Sequence, residues 1–312
     1  MSKNRFRIFL VIALVLLMAL GSTSLASAGK PTPTPTPVPT PPPIPASMRA
    51  GLRASDYGIS PWPLPDWWVN SINSMAGRFP GSTGAMIAVV VEIDGMKGPG
   101  CWAHFPNPDG GSYSGVRFDA ADKFGPDFTA FDSAGIKVWL QVESSGCDMP
   151  MLIDLVFKQY GNHSSVIGFG VDDEWFYNKQ VRNGRPITDA EAQAWITRVQ
   201  AKKPTANYKV FLKHWLTTQM PPTYRNDALV FVDDSQGFRS MDAMLTEFAA
   251  WGAAFPKSKV GYQFGYASDR SWWSRLTNPP QEIGNGILSR NSTNLNTSDL
   301  FWVDFTAHDI WP

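Results

Sequence analysis

The sequence predicts an α/β fold, a (β/α)8 barrel of the TIM type, and three observations carry that prediction. About 265 residues follow a proline-rich stretch, close to the roughly 250 typical of such a barrel. Eight short apolar runs alternate with helix-like stretches, the pattern of a parallel sheet wrapped by helices. Runs such as AMIAVVVEI at 85–93 are apolar on both faces, as strands covered on both sides must be. No G-x-G-x-x-G or P-loop follows the early strands, which argues against a nucleotide-binding doubly wound sheet.

Taken in order, the chain opens with Lys3, Arg5 and Arg7, then the unbroken apolar run 8–20, then Ala26-Ser27-Ala28. A basic start, a short apolar core and a small-residue end make residues 1–28 a secretory signal, and the run is shorter than the about 20 residues of a membrane span. Residues 29–46 form a Pro/Thr-rich linker; nine of the 15 residues from 31 to 45 are proline, which favours extended polyproline II about 45 Å long. Residues 47–312 are the barrel. The expected location is outside the cell, with cell-surface attachment and membrane insertion only if the signal persists as an anchor.

The candidate strands are 56–59, 85–93, 137–143, 166–172, 209–215, 228–233, 259–266 and 300–305. Helices are expected at 66–77, 127–134, 151–160, 188–202, 240–254 and 280–288, the fourth opening on the capping box T-D-A-E. Only seven residues follow Phe305, so no eighth helix is expected; residues 47–54 cover that gap, or the barrel is partly open.

Composition narrows function. With 27 basic and 27 acidic side chains there is no excess positive charge for nucleic-acid binding, and 43% hydrophobic residues suffice for a core. Two cysteines are too few for a disulfide scaffold or a cysteine-rich zinc site. Cys101 and Cys147 lie beyond the carboxyl ends of the second and third strands, so in an exported protein they are expected to pair. The unusual feature is aromatic: 13 Trp, 19 Phe and 8 Tyr. Trp62, Trp102, Trp175, Trp215, Trp272, Trp273 and Trp302 fall at or near strand carboxyl ends, where catalytic groups of such barrels sit. Sugar rings have apolar C–H faces, so a tryptophan-lined mouth suits a saccharide; Trp195 and Trp251 lie on helices and read as core.

The fourth strand runs V-I-G-F-G-V-D-D-E-W from Val166 to Trp175. The period of two puts Gly168, Gly170, Asp172 and Glu174 on one face and Asp173 on the other. If that face is the interior, the glycines clear space beneath a carboxylate pair, and one carboxylate raises the pKa of the other, as a general acid requires. The bland alternative is three acids capping a solvated turn. Weaker signals at other strand ends are Glu92, Asp94, Gln141, Glu143, His214, Asp304 and His308.

G-V-D-D-E-W resembles the fourth-strand signature D-x-x-D-x-D-x-E of the chitinase and endo-β-N-acetylglucosaminidase family. Asp172 and Glu174 match its last Asp and its proton-donating Glu; Gly170 and Ile167 stand where the family has its other two Asp. Ser144-Ser145-Gly146 loosely resembles the family's S-x-G-G, with Cys147 in the last place. The resemblance implies a barrel glycosidase in which the substrate's acetamide is the nucleophile, Glu174 protonates the leaving oxygen and Asp172 orients the acetamide, so that the sugar is an N-acetylhexosamine.

A second scheme keeps Glu174 as acid and uses Asp233 or Asp234 as base or nucleophile; the two geometries differ in carboxyl separation, about 5–5.5 Å against 6.5–9.5 Å. A scheme with acids on strands four and seven fits poorly, since the seventh offers Gln263 and Tyr266 and no acid before Asp269. The leading reading is therefore a secreted glycoside hydrolase with Glu174, Asp172 and Asp233 as catalytic residues. Trp175, Trp215, Tyr266, Trp302, Gln263 and Asp234 are its substrate contacts, carbohydrate is its partner, and no cofactor or metal is called for. The alternatives are a non-catalytic glycan-binding barrel, favoured by Gly170, and a metal-dependent hydrolase using Asp172, Glu174, Asp233, Asp234 and His214.

Overall fold

The computed structural model describes residues 42–94, 100–176 and 184–312; the signal and linker residues 29–41 lie outside the described residues. Strands β1 (Arg49–Ala54), β2 (Thr83–Ile93), β5 (Lys137–Val142), β6 (Val166–Asp172), β7 (Lys209–Lys213), β8 (Leu229–Asp233), β9 (Lys259–Phe264) and β10 (Thr297–Val303) pair in parallel, each with its neighbours around the ring. β1 pairs with both β10 and β2, which closes the barrel. Two short strands, β3 (Cys101–Ala103) and β4 (Val116–Phe118), extend the edge of β2. The outer helices are α1 (Pro65–Gly77), α2 (Gly125–Ala134), α3 (Met149–Tyr160), α4 (Asp189–Lys202), α5 (Met241–Ala254), α6 (Arg270–Trp273), α7 (Pro279–Arg290) and α8 (Ala307–Ile310).

The first strand is displaced from its expected place: it is Arg49–Ala54, and residues 56–59 are a turn. The barrel is thus closed, and 47–54 supplies a stave of it. Ala50, Leu52 and Ala54 face the outer core, which leaves Arg49 and Arg53 inside. Arg49 is held by a fork to Asp299 (Nε–Oδ1 2.6 Å, Nη2–Oδ2 2.8 Å) and lies over the Trp139 ring. Two arginines on the inner face erase the apolar pattern that marks a buried strand, and only their acidic partners on other strands make the burial tolerable. Gly51 sits between them because a Cβ there would lie 1.7 Å from the Ala85 carbonyl oxygen.

Helix α4 begins as its sequence indicates: Thr188 Oγ1 accepts from the Glu191 N–H at 3.2 Å, and the Glu191 carboxylate accepts from the Thr188 N–H at 3.0 Å. After β10 the chain makes only the single turn α8; Trp311 then reaches back to α1, its Nε1 donating to Ser74 Oγ at 3.1 Å. The structure places Cys101 and Cys147 in a disulfide, with Cα atoms 6.5 Å apart.

The barrel interior is filled by Ala85, Ile87, Trp139, Phe211, Val230, Val232 and Phe301. Their neighbours one residue along point outward into the helix layer. Trp302 is one of these, fully buried against Phe264, Trp273 and Trp311, with Nε1 donating to Thr306 Oγ1 at 2.9 Å. Its expected role as a sugar contact is therefore corrected: since Phe301 points in, Trp302 must point out. Trp302→Ala should cost about 3–5 kcal/mol of stability, which denaturant unfolding would measure.

Candidate active site

At the carboxyl end of the barrel, β6 carries Gly168, Gly170 and Asp172 on its inner face. The space beside the glycines is occupied. A Cβ on Gly168 would lie 2.5 Å from the Trp139 ring, and one on Gly170 would lie 2.0 Å from Phe211. These rings floor the mouth, so no carboxylate fits at position 170, where the resembled signature has one.

Above that floor, charged side chains on or just after six strands meet. Lys213, at the end of β7 and 3% exposed, lies 2.7 Å from Asp172 Oδ2 and also contacts Asp234 Oδ2. Gln141 Nε2 donates to the same Asp172 oxygen at 3.3 Å. Burial opposes the charge on Lys213, but Asp172 and then Asp234 outweigh it and push its pKa well above the ordinary lysine value. Across the mouth, Arg53 Nη1 pairs with Asp304 Oδ1 at 2.9 Å and donates to Ser55 Oγ at 2.6 Å, while Nη2 reaches the Tyr57 hydroxyl. Tyr57 in turn donates to Glu143, whose pKa is pushed up to about 7 by burial and then by Asp172.

Glu174 sits in the short turn Asp173–Trp175 that ends β6. It is half-buried, and burial, then the Asp172 charge, push its pKa up to about 7 against the pull of Lys213. It lines a cleft of about 490 Å³ with Trp215, Leu216, Asp234, Ser235, Gln236, Phe238 and Glu247. One wall of that cleft therefore presents a carboxyl poised to stay protonated near neutrality, and another a carboxylate paired with a buried ammonium. Asp173, on the opposite side as strand parity requires, is buried and pushed up to about 8 by burial and then by Asp172.

The other expected site residues divide. Gln263 lies inside the mouth and its Oε1 accepts from the Tyr266 hydroxyl at 3.3 Å; both are buried. Trp215 walls the Glu174 cleft, stacked on His214 with ring centres 4.0 Å apart. Trp175, half-buried, is not among the described walls of that cleft; its carbonyl accepts from the Ser145 N–H at 2.8 Å. Asp233 is placed away from the mouth. Val230 and Val232 face the barrel interior, so Asp233 faces the helix layer, where Oδ1 accepts from the Ser235 N–H at 2.9 Å and burial pushes its pKa well up. Its neighbour Asp234 is the acid that enters the cleft.

The metal set drawn from sequence is not assembled either: Asp233 points away, and the buried His214 Nδ1 accepts from the Leu216 N–H at 2.8 Å. Nor do the aromatic residues gather as expected. Trp62 donates to Asp127 at 3.0 Å beside Phe124, and Trp102 is covered by the Arg117 guanidinium at 3.6 Å. The residues that the sequence reading passed over are Lys213, Arg53, Tyr57 and Glu247. A lysine in K-V-F-L-K and an arginine in R-A-G-L-R-A, each on the inner face of a strand that buries its apolar residues, were the available signals.

Comparison with known proteins places this geometry in a wider frame. No family model matches the chain, and no curated protein matches it in sequence. Among solved structures, the chain is similar to a protein assigned as an α-L-fucosidase from Bacteroides thetaiotaomicron VPI-5482, with TM-score 0.50 and 12% identity over 90% of this chain and 97% of that one. Weaker similarity extends to a broad-specificity endoglucanase from an uncultured bacterium, with TM-score 0.39 and 8% identity over 84% of this chain and 89% of that one. A β-(1,4)-mannanase from Podospora anserina gives TM-score 0.39 and 11% identity over 85% of this chain and 58% of that one. At such low identity it is the barrel fold that the first likeness bears on, and this chain has that fold: a closed ring of eight parallel strands with helices around it.

Proposed function

We propose that this protein is a glycoside hydrolase that cleaves an oligo- or polysaccharide outside the cell, with Glu174 as general acid and Asp234 as the second carboxyl group of the same cleft. The observation that carries the reading is the contrast between these two acids. Burial and Asp172 push Glu174 up to about 7, so it holds a proton to give to the glycosidic oxygen, while Asp234 is in contact with the buried Lys213 ammonium. Negative charge from Asp234 then supports the oxocarbenium-like transition state.

Two further features support a polyhydroxyl ligand, and a third supports export. Asp172 Oδ1, Asp234 Oδ1, Gln141 Oε1 and Gln263 Nε2 are buried at the mouth without hydrogen-bond partners among the described residues, and sugar hydroxyls would satisfy them. Trp215 offers a flat face beside Glu174. The Cys101–Cys147 disulfide suits an oxidising compartment, in keeping with residues 1–28 as an export signal. A protein carboxylate is favoured over a substrate acetamide as the second group, because Asp172 is already engaged by Lys213 and Gln141 and Phe211 fills the place of the preceding acid.

The test is release of reducing ends from a panel of β-glucans, mannans, chitin and fucosylated glycans. At least one should be cleaved. The rate on it should fall about tenfold per pH unit above about 7, since a general acid with its pKa raised to about 7 works only while protonated below that value. Binding without cleavage across the whole panel would replace the hydrolase by a glycan-binding barrel.

A further inference from the structure

Beside the Arg53–Glu143 side of the mouth, the same rim carries a second constellation: Asp56 just after β1, Glu92 near the end of β2 and His104 just after β3. One ligand atom from each lies within 4.8 Å of the others. His104 is fully buried and Glu92 is 6% exposed. His104 Nδ1 stands 3.1 Å from Asp119 Oδ2, and Asp119 Oδ1 is itself anchored by the Trp102 indole N–H at 2.8 Å. With Nδ1 so held, Nε2 is turned toward Glu92 Oε1 at 3.3 Å; among the described residues neither Nε2 nor Glu92 Oε2 makes a hydrogen bond. A histidine whose far nitrogen is fixed by a carboxylate while its near nitrogen looks into an acidic pocket is how proteins orient a metal-binding imidazole.

Charge points the same way. Among the described residues, the three carboxylates of Asp56, Glu92 and Asp119 gather here around Lys123, which contacts Asp56, and the imidazole of His104. A divalent ion adds positive charge among them.

We propose that Asp56, Glu92 and His104 bind a divalent cation of the zinc–manganese class, through His104 Nε2 and one carboxylate oxygen from each acid. One nitrogen and two oxygen donors suit these ions better than calcium or magnesium, which favour all-oxygen shells. Three protein ligands leave a position open to water or a sugar hydroxyl. The ion ties the ends of three strands together next to Tyr57, and so steadies the wall that carries Glu143. The site does not depend on the glycosidase reading, since none of its ligands lines the Glu174 cleft.

The test uses the full-length protein, stripped with chelator and titrated with Zn²⁺ and with Mn²⁺ by calorimetry, with bound metal counted by elemental analysis. One equivalent should bind and raise the melting temperature. Glu92→Gln should abolish binding, and Asp119→Asn should weaken it about 10–100-fold by freeing the imidazole. Lys123→Met should tighten binding, because it removes the ammonium that competes for Asp56; a misfolded variant cannot produce that gain. Absence of saturable binding in both the wild type and Lys123→Met would overturn the site. Unchanged affinity in a folded Glu92→Gln, or a preference for Ca²⁺ over both ions, would do the same.

Discussion

Glu174→Gln lowers turnover about 10²–10⁴-fold on any saccharide the protein cleaves, the usual loss when a general acid is removed. The substitution keeps the shape of the side chain and takes away only the transferable proton. Asp234→Asn should lower turnover as well, since it removes the charge facing the same cleft. Asp233→Asn should leave turnover within a few-fold, because its carboxyl lies on the helix side of β8. The comparison of the two adjacent substitutions is sharper than either alone, for it asks which face of one strand does chemistry. Full activity in Glu174→Gln, or a larger loss in Asp233→Asn than in Asp234→Asn, would refute the assignment.

Lys213→Met destabilises the barrel by about 3–5 kcal/mol, the range for removing one partner of a buried ion pair. The ammonium holds Asp172 and Asp234 together at the mouth, and methionine fills its volume without its charge. For a chain of this size the loss corresponds to a fall in melting temperature on the order of 10 °C. Its pH dependence has a definite sign. Burial raises the pKa of Asp172 even with Lys213 present, and losing the ammonium raises it further. A carboxyl whose folded-state pKa lies above its unfolded value makes stability fall as pH rises between the two, so the deficit of the variant should shrink on acidification toward the ordinary carboxylate range. Thermal unfolding at several pH values checks this; a deficit independent of pH would mean that packing, not charge, is what Lys213 contributes.

Much of the frame could be read locally. β6 spans the residues expected of it, and the Thr188–Glu191 cap stands where the four-residue pattern places it, because strand period and helix capping involve only near neighbours in the chain. The same period correctly separates Asp172 from Asp173 across β6. On β8 and β10 the local sequence does not anchor parity: Asp233 and Trp302 look like mouth residues, yet their neighbours Val232 and Phe301 face inward.

What the sequence by itself determined, then, is the alternation that makes a barrel and the parity of its fourth strand, with Glu174 at the end. What only the tertiary structure decided is which charges meet inside. Arg53 is answered by Asp304, 251 residues away, and Lys213 by acids on strands to either side. A buried charge reads as an error in an apolar run until its partner is in place, and closure of the ring is what brings that partner within reach.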